Sequence, residues 1–119
     1  MTEGKLGAVE ARFADIIWSY APLSTQQLVR LCEQQLQWKR TTTYTVLKRL
    51  SEQGLFCNDN GTVQVLVTRE EFYACRSERF VAEVFDGSLP AFLTAFTSRK
   101  KLTAAEIEEI RKMIDSYEG

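Results

Sequence analysis

Residues 38–49 carry side chains that are suited to binding a nucleic acid. The stretch holds four basic residues and no acidic one, although the formal net charge of the whole chain is −1. Hydroxyl groups can hydrogen-bond base edges or phosphates, while lysine and arginine bind guanine or neutralise phosphates. The predicted contacts to double-stranded DNA are Lys39, Arg40, Thr41, Thr42, Tyr44, Thr45, Lys48 and Arg49.

A helical wheel through this stretch separates an apolar face from a polar one. At about 100° per residue, the inward face is formed by Thr43, Val46, Leu47 and Leu50. The opposite face is formed by Thr41, Thr45 and Lys48, with Tyr44 and Arg49 at its flanks. The pattern predicts a helix that presents hydroxyls and cations to DNA. A solvated helix with a polar face is the alternative.

The elements around this helix are predicted from apolar spacing and capping signals. Residues 6–20 form a first helix, Ser24 with Gln27 starts a second, and Thr41 or Thr42 caps the third, which ends at Gly54. Residues 55–57 and 62–67 form a two-stranded hairpin around the Asn-Gly turn at 58–61. Three further helices follow, and the expected caps are Thr68, Ser88 and Thr103.

This order predicts a mainly α protein. Residues 1–67 form a winged helix-turn-helix, with three helices and a β-hairpin wing, and residues 68–119 form a three-helix dimerisation tail. The fourth helix is expected to bury Phe72, Phe80, Val81 and Val84. Because the apolar faces of the tail helices have little else to pack on, a second copy of the chain is expected to cover them in a homodimer. The predicted interface comprises Phe80, Val84, Leu89, Phe92, Leu93, Phe96, Ile107, Ile110 and Ile114.

The composition argues against an enzyme. The chain has no histidine, and its three cysteines are far apart, so we expect no catalytic residues, no metal site and no cofactor. The sequence has neither a signal peptide nor an apolar run that could insert into a membrane, which predicts a cytoplasmic protein with reduced thiols.

Three further features allow two interpretations each. Trp38 is interpreted as a core anchor at the entry of the third helix, and base stacking is the alternative. The basic run at 99–101 is interpreted as a solvated loop that could instead contact phosphate. The turn at 58–61 lacks a cation, so it either touches phosphate through amides or makes no contact.

The segment 38–50, WKRTTTYTVLKRL, closed by Gly54, resembles the recognition-helix segment of the penicillinase and methicillin-resistance repressors, the BlaI/MecI/CopY family. The usual pattern is Thr-Val-x-Thr-x-Leu-x-Arg-Leu followed by Gly, and Thr43 here replaces the Val. The runs IIW at 16–18, FVAEVFDG at 80–87 and LTAAEI at 102–107 also fit, so the resemblance covers about residues 6–117. It implies a homodimeric repressor that binds a palindromic operator with TACA and TGTA half-sites.

The resemblance also implies a partner and an induction route, from which this sequence departs. The resistance repressors respond to a membrane sensor peptidase and are cut between Asn and Phe in the fifth helix. Here Ala95 replaces the Asn before Phe96, which counts against proteolytic induction. The last helix also lacks the cysteines of the copper-responsive branch. A winged-helix protein-interaction module that no longer binds DNA is the alternative function.

Overall fold

Six helices and a small antiparallel sheet make up the computed structural model, which describes residues 6–118. The elements are α1 (Ala8–Tyr20), β1 (Leu23–Ser24), α2 (Thr25–Leu36), α3 (Arg40–Glu52), β2 (Phe56–Asp59), β3 (Thr62–Val65), α4 (Arg69–Val84), α5 (Leu89–Arg99) and α6 (Ala104–Asp115). This architecture confirms the predicted winged helix-turn-helix followed by a helical tail. No helix within residues 6–118 has both the length and the apolar character needed to cross a membrane.

Local capping signals fix where most helices begin. The Ser24 hydroxyl accepts a hydrogen bond from the Gln27 backbone N–H at 3.0 Å. In the reciprocal bond, the side-chain oxygen of Gln27 accepts the Ser24 backbone N–H at 2.9 Å. Thr68 with Glu71, and Thr103 with Glu106, form the same reciprocal pair. Such pairs satisfy backbone donors that have no partner inside the helix. The predicted caps of α2, α4 and α6 are therefore confirmed, as is Ser88 at α5.

The predicted cap of α3 is wrong. The helix begins at Arg40 with Lys39 as its N-cap, so Thr41 and Thr42 lie inside the first turn. The reason lies in contacts that are distant in sequence. Gln37 ends α2 in a left-handed conformation with a φ of 55°, and the Trp38 ring stacks on Phe13 at 5.3 Å. The chain therefore turns into α3 before it reaches the threonines, and Trp38 is a core anchor.

The sheet contains a strand that the sequence did not predict. The strand order is β1-β3-β2, all antiparallel, and Leu23 in β1 pairs with Val63 in β3. The predicted hairpin forms from β2 and β3, although β3 ends at Val65 rather than at residue 67. Its turn has positive φ at Asn60 (55°) and Gly61 (92°), as a two-residue Asn-Gly loop requires.

One core joins the first three helices, the sheet and the start of α4. Its largest fully buried apolar side chains are Phe13, Ile17, Leu28, Leu50, Phe56 and Val63. The Trp18 ring lies edge-on to Phe56 at 5.5 Å, and its indole N–H donates to the carbonyl of Val67 at 2.9 Å. This core fixes the position of α3, because the inward face of that helix is part of it.

The described chain divides into two compact units, one through Arg76 and one from Ser77. In the second unit, the centroid of the Phe92 ring lies within 6.1 Å of the ring centroids of Phe80, Phe85 and Phe96. None of residues 77–118 is buried. The predicted burial of Phe80, Val81 and Val84 is therefore wrong for a single chain, because Phe80 is 49% exposed, Val84 is 58% exposed and Val81 is only partly covered. Phe72 is buried as predicted.

The three thiols are expected to react at different rates with an alkylating reagent. Cys75 is exposed, Cys57 is half-buried and Cys32 is fully buried. Burial raises the pKa of the Cys32 thiol, and a hydrogen bond with Thr43 opposes that rise in part. Because the thiolate is the reactive form, Cys32 should react at least about tenfold more slowly than Cys75 until denaturant is added. Time-resolved mass spectrometry of the labelled peptides measures this, and equal rates would contradict the described core.

Candidate nucleic-acid interface

The inward face of α3 holds the helix on the core. Thr43, Val46, Leu47 and Leu50 are all buried, as the helical wheel predicts. Thr43 is the polar member of this face, and its hydroxyl donates to the carbonyl of Lys39 at 3.2 Å. Since a buried hydroxyl without a partner would be costly, this bond accounts for a polar residue in the core. The outer face of α3 is therefore turned to solvent.

Hydroxyls and cations occupy that outer face. The exposed predicted contact residues are Lys39, Arg40, Thr41, Thr42, Thr45, Lys48 and Arg49, while Tyr44 is half-buried. The Arg40 guanidinium lies 5.5 Å from the centroid of the Tyr44 ring, within the range of a cation–π contact. Lys39 and Lys48 form no ion pair with any residue in 6–118. No carboxylate in the described part of the chain therefore competes with an external anion for either ammonium group.

Arg49 differs from the other cations of the face. Its guanidinium forms an ion pair with Glu10, which lies near the start of α1. The Arg49 side chain nevertheless remains 50% exposed. Sequence analysis did not identify Glu10, because the two residues are 39 positions apart and no local pattern links them. The structure thus adds a carboxylate at one edge of the predicted DNA face.

The wing borders the other edge of this face. Tyr44 and Lys48 from α3, Asn58 from β2 and Leu66 after β3 line one open groove. The Asn58 side-chain oxygen accepts the Gly61 N–H at 2.9 Å, which closes the turn. The exposed tip carries Asp59 and no cation. Leu66 is 57% exposed, and the sequence analysis did not select it although it lies within the predicted strand at 62–67.

The second unit presents an exposed apolar surface. Seven of the nine predicted dimerisation residues are exposed in the single chain: Phe80, Val84, Leu89, Leu93, Phe96, Ile107 and Ile114. The other two, Phe92 and Ile110, are half-buried. A soluble monomer rarely leaves so many large apolar side chains open to water. This surface therefore has the character of a macromolecular interface.

The described residues contain no arrangement suited to metal-dependent chemistry. Across residues 6–118, no group of three or more histidine, cysteine, aspartate or glutamate side chains is placed to hold a metal ion. The basic run at 99–101 is exposed where α5 ends. The polar face of α3 and the exposed apolar residues of the second unit each have a distinct chemical character.

Comparison with known proteins relates almost all of the described residues to one family. Residues 6–116 match the family model of the penicillinase repressor. The methicillin resistance regulatory protein MecI of Staphylococcus aureus strain Mu50 is 25% identical over 115 residues, covering 93% of this chain and 94% of the relative. The MecI proteins of Mammaliicoccus sciuri and Staphylococcus epidermidis are each 24% identical over 115 residues, again covering 93% of this chain and 94% of the relative.

Proposed function

The chain belongs to the penicillinase repressor family, and we propose that it represses transcription as a homodimer bound to a palindromic operator. The family comprises DNA-binding transcriptional regulators rather than enzymes, so the broad function follows from membership. The observation that carries the finer proposal is the outer face of α3, where exposed cations and hydroxyls lie beside a wing.

The proposed mode of binding follows the geometry of a helix-turn-helix. The outer face of α3 enters the major groove, where Thr41, Thr45 and Lys48 meet base edges. Lys39 and Arg40 lie at the start of the helix, where free backbone amides and positive charge both favour a phosphate. Thr42, Tyr44 and Arg49 extend the contact surface at its flanks. Half-sites of the TACA and TGTA type follow from the family resemblance.

The homodimer is proposed because the second unit has no buried side chain of its own. A helical unit is stabilised mainly by burying an apolar face. In the single chain, none of the side chains in residues 77–118 is fully buried. A second copy would offer the same surface in return, as a twofold interface requires. The dimer would also hold two α3 helices about one turn of DNA apart, or a small multiple of that distance.

Fluorescence anisotropy provides the direct test of this proposal. The purified chain is titrated against a labelled duplex with a TACA/TGTA palindrome and against a scrambled duplex, each at about 50 and 200 mM salt. We expect a clear preference for the palindrome. Affinity should fall by at least about tenfold at the higher salt, because phosphate contacts release counterions. Equal, weak binding to both duplexes at low salt would contradict the proposal.

A second candidate function is a winged-helix module that binds proteins instead of DNA. It is favoured by the net charge of −1 and by a wing tip that carries Asp59 without a cation. The same titration separates the two candidates, because this module would bind neither duplex at low salt.

We propose no proteolytic step for the release of DNA. A membrane sensor peptidase is the inducing partner that the family resemblance implies. Its cleavage pair is incomplete here, because Ala95 lies before Phe96 in α5.

A further inference from the structure

We propose that Glu10 is a positioning residue for DNA binding. Its carboxylate would hold the Arg49 guanidinium at the edge of the α3 face, so that the remaining N–H donors meet a DNA phosphate. This inference rests on the proposed function, since it concerns how one contact of that DNA face is made.

Both ends of the Glu10 carboxylate are engaged. One oxygen, Oε1, accepts the backbone N–H of Gly7 at 3.3 Å, and the other, Oε2, accepts an N–H of Arg49. The first bond ties the carboxylate to the start of α1, which is itself anchored by Phe13 and Ile17 in the core. Glu10 is therefore a fixed acceptor that links α1 to α3.

The exposure of the two partners is unequal. The Glu10 side chain is 24% exposed, while that of Arg49 is 50% exposed. A guanidinium has five N–H donors, and the one bond to Glu10 leaves others free for a planar anion such as phosphate. Arg49 lies on the same side of α3 as Thr42, at the edge that faces α1. The arrangement thus leaves the donor groups of Arg49 accessible beside the DNA face.

The benefit of the ion pair is expected in binding more than in folding. A partly exposed ion pair contributes little to stability, because solvent screens it and two long side chains must be ordered. If Glu10 has already ordered Arg49 in the free protein, DNA does not bear that entropic cost when it binds. This effect opposes simple electrostatics, because removing a carboxylate near DNA should otherwise strengthen binding.

The test compares Glu10→Gln with a matched control on the same helix. Asp15 in α1 forms a similar exposed pair with Arg69 at 3.1 Å, and its side chain is 48% exposed. We expect Glu10→Gln to weaken operator binding by about three- to tenfold, whereas Asp15→Asn changes it by less than about twofold. Anisotropy titrations of the full chain provide both values, and thermal unfolding checks that the two variants are equally folded.

A double-mutant cycle with Arg49→Ala separates positioning from a general structural role. Arg49→Ala should reduce the salt slope of the dimer by about two, because one phosphate contact is lost in each copy. In that background, Glu10→Gln should change affinity by less than about twofold. An equal loss in both backgrounds, or stronger binding by the single variant Glu10→Gln, would overturn the inference.

Lys48→Ala is measured in parallel as a second variant. It distinguishes a wrong role for Glu10 from a wrong proposal for the function of the chain. If Lys48→Ala weakens binding but Glu10→Gln does not, only the role of Glu10 is wrong. If neither variant matters, the DNA face itself is wrongly assigned, and the inference about Glu10 is overturned with it.

Discussion

Replacing Lys48 with glutamate is expected to weaken operator binding by at least about a hundredfold, because it would place a carboxylate against DNA in both copies of the proposed dimer. Lys48 is exposed near the centre of the polar face of α3 and forms no ion pair within residues 6–118. Its replacement therefore deprives no described carboxylate of an ion-pair partner. Anisotropy titration against the palindromic duplex measures the loss, and circular dichroism confirms that the variant folds.

Lys112→Glu provides the matched control for this charge reversal. Lys112 is exposed in α6, on the side of that helix opposite to Ile107 and Ile114, and the substitution changes net charge by the same amount. If the loss comes from a specific contact on α3, the Lys112 variant should keep most of its affinity. Equal losses in both variants would mean that only overall charge matters, which would contradict the assignment of α3.

Replacing Phe96 with aspartate is expected to convert the proposed dimer to a monomer. It should also weaken binding to the palindrome by about a hundredfold or more, because the two half-sites are then bound independently. Phe96 is 47% exposed in the single chain, so a carboxylate there would be solvated in the monomer and buried only in the proposed dimer. Sedimentation velocity reports the oligomeric state, and binding to a duplex with one half-site should change little.

Thr94→Asp is the control for this experiment. Thr94 is exposed in the same helix but lies about 160° around the helix axis from Phe96 and about 140° from Leu89. It should remain dimeric. Ile114→Asp, in α6, tests the predicted interface at a second side chain, which is 63% exposed. A dimer that persists in both Phe96→Asp and Ile114→Asp would show that this surface is not the interface.

The polar face of α3 was predictable because helical periodicity is a local property. Every side chain that the wheel placed inward is buried, and Thr45 and Lys48 are exposed as expected. The same is true of the capping pairs and of the Asn-Gly turn, because their hydrogen bonds join residues at most three positions apart. The start of α3 was mispredicted because the contact between Trp38 and Phe13 overrode the capping preference of the threonines.

The sequence by itself determined the fold class, the order of the helices and the hairpin, and the polar face of α3, because each depends on interactions between near neighbours. Only the tertiary structure decided that Leu23 pairs with Val63, that Glu10 engages Arg49 and that Phe80 remains exposed in a single chain. The first two join residues 40 and 39 positions apart, so packing selects them and no local spacing encodes them. The third depends on how much apolar surface one chain can cover, which periodicity does not measure.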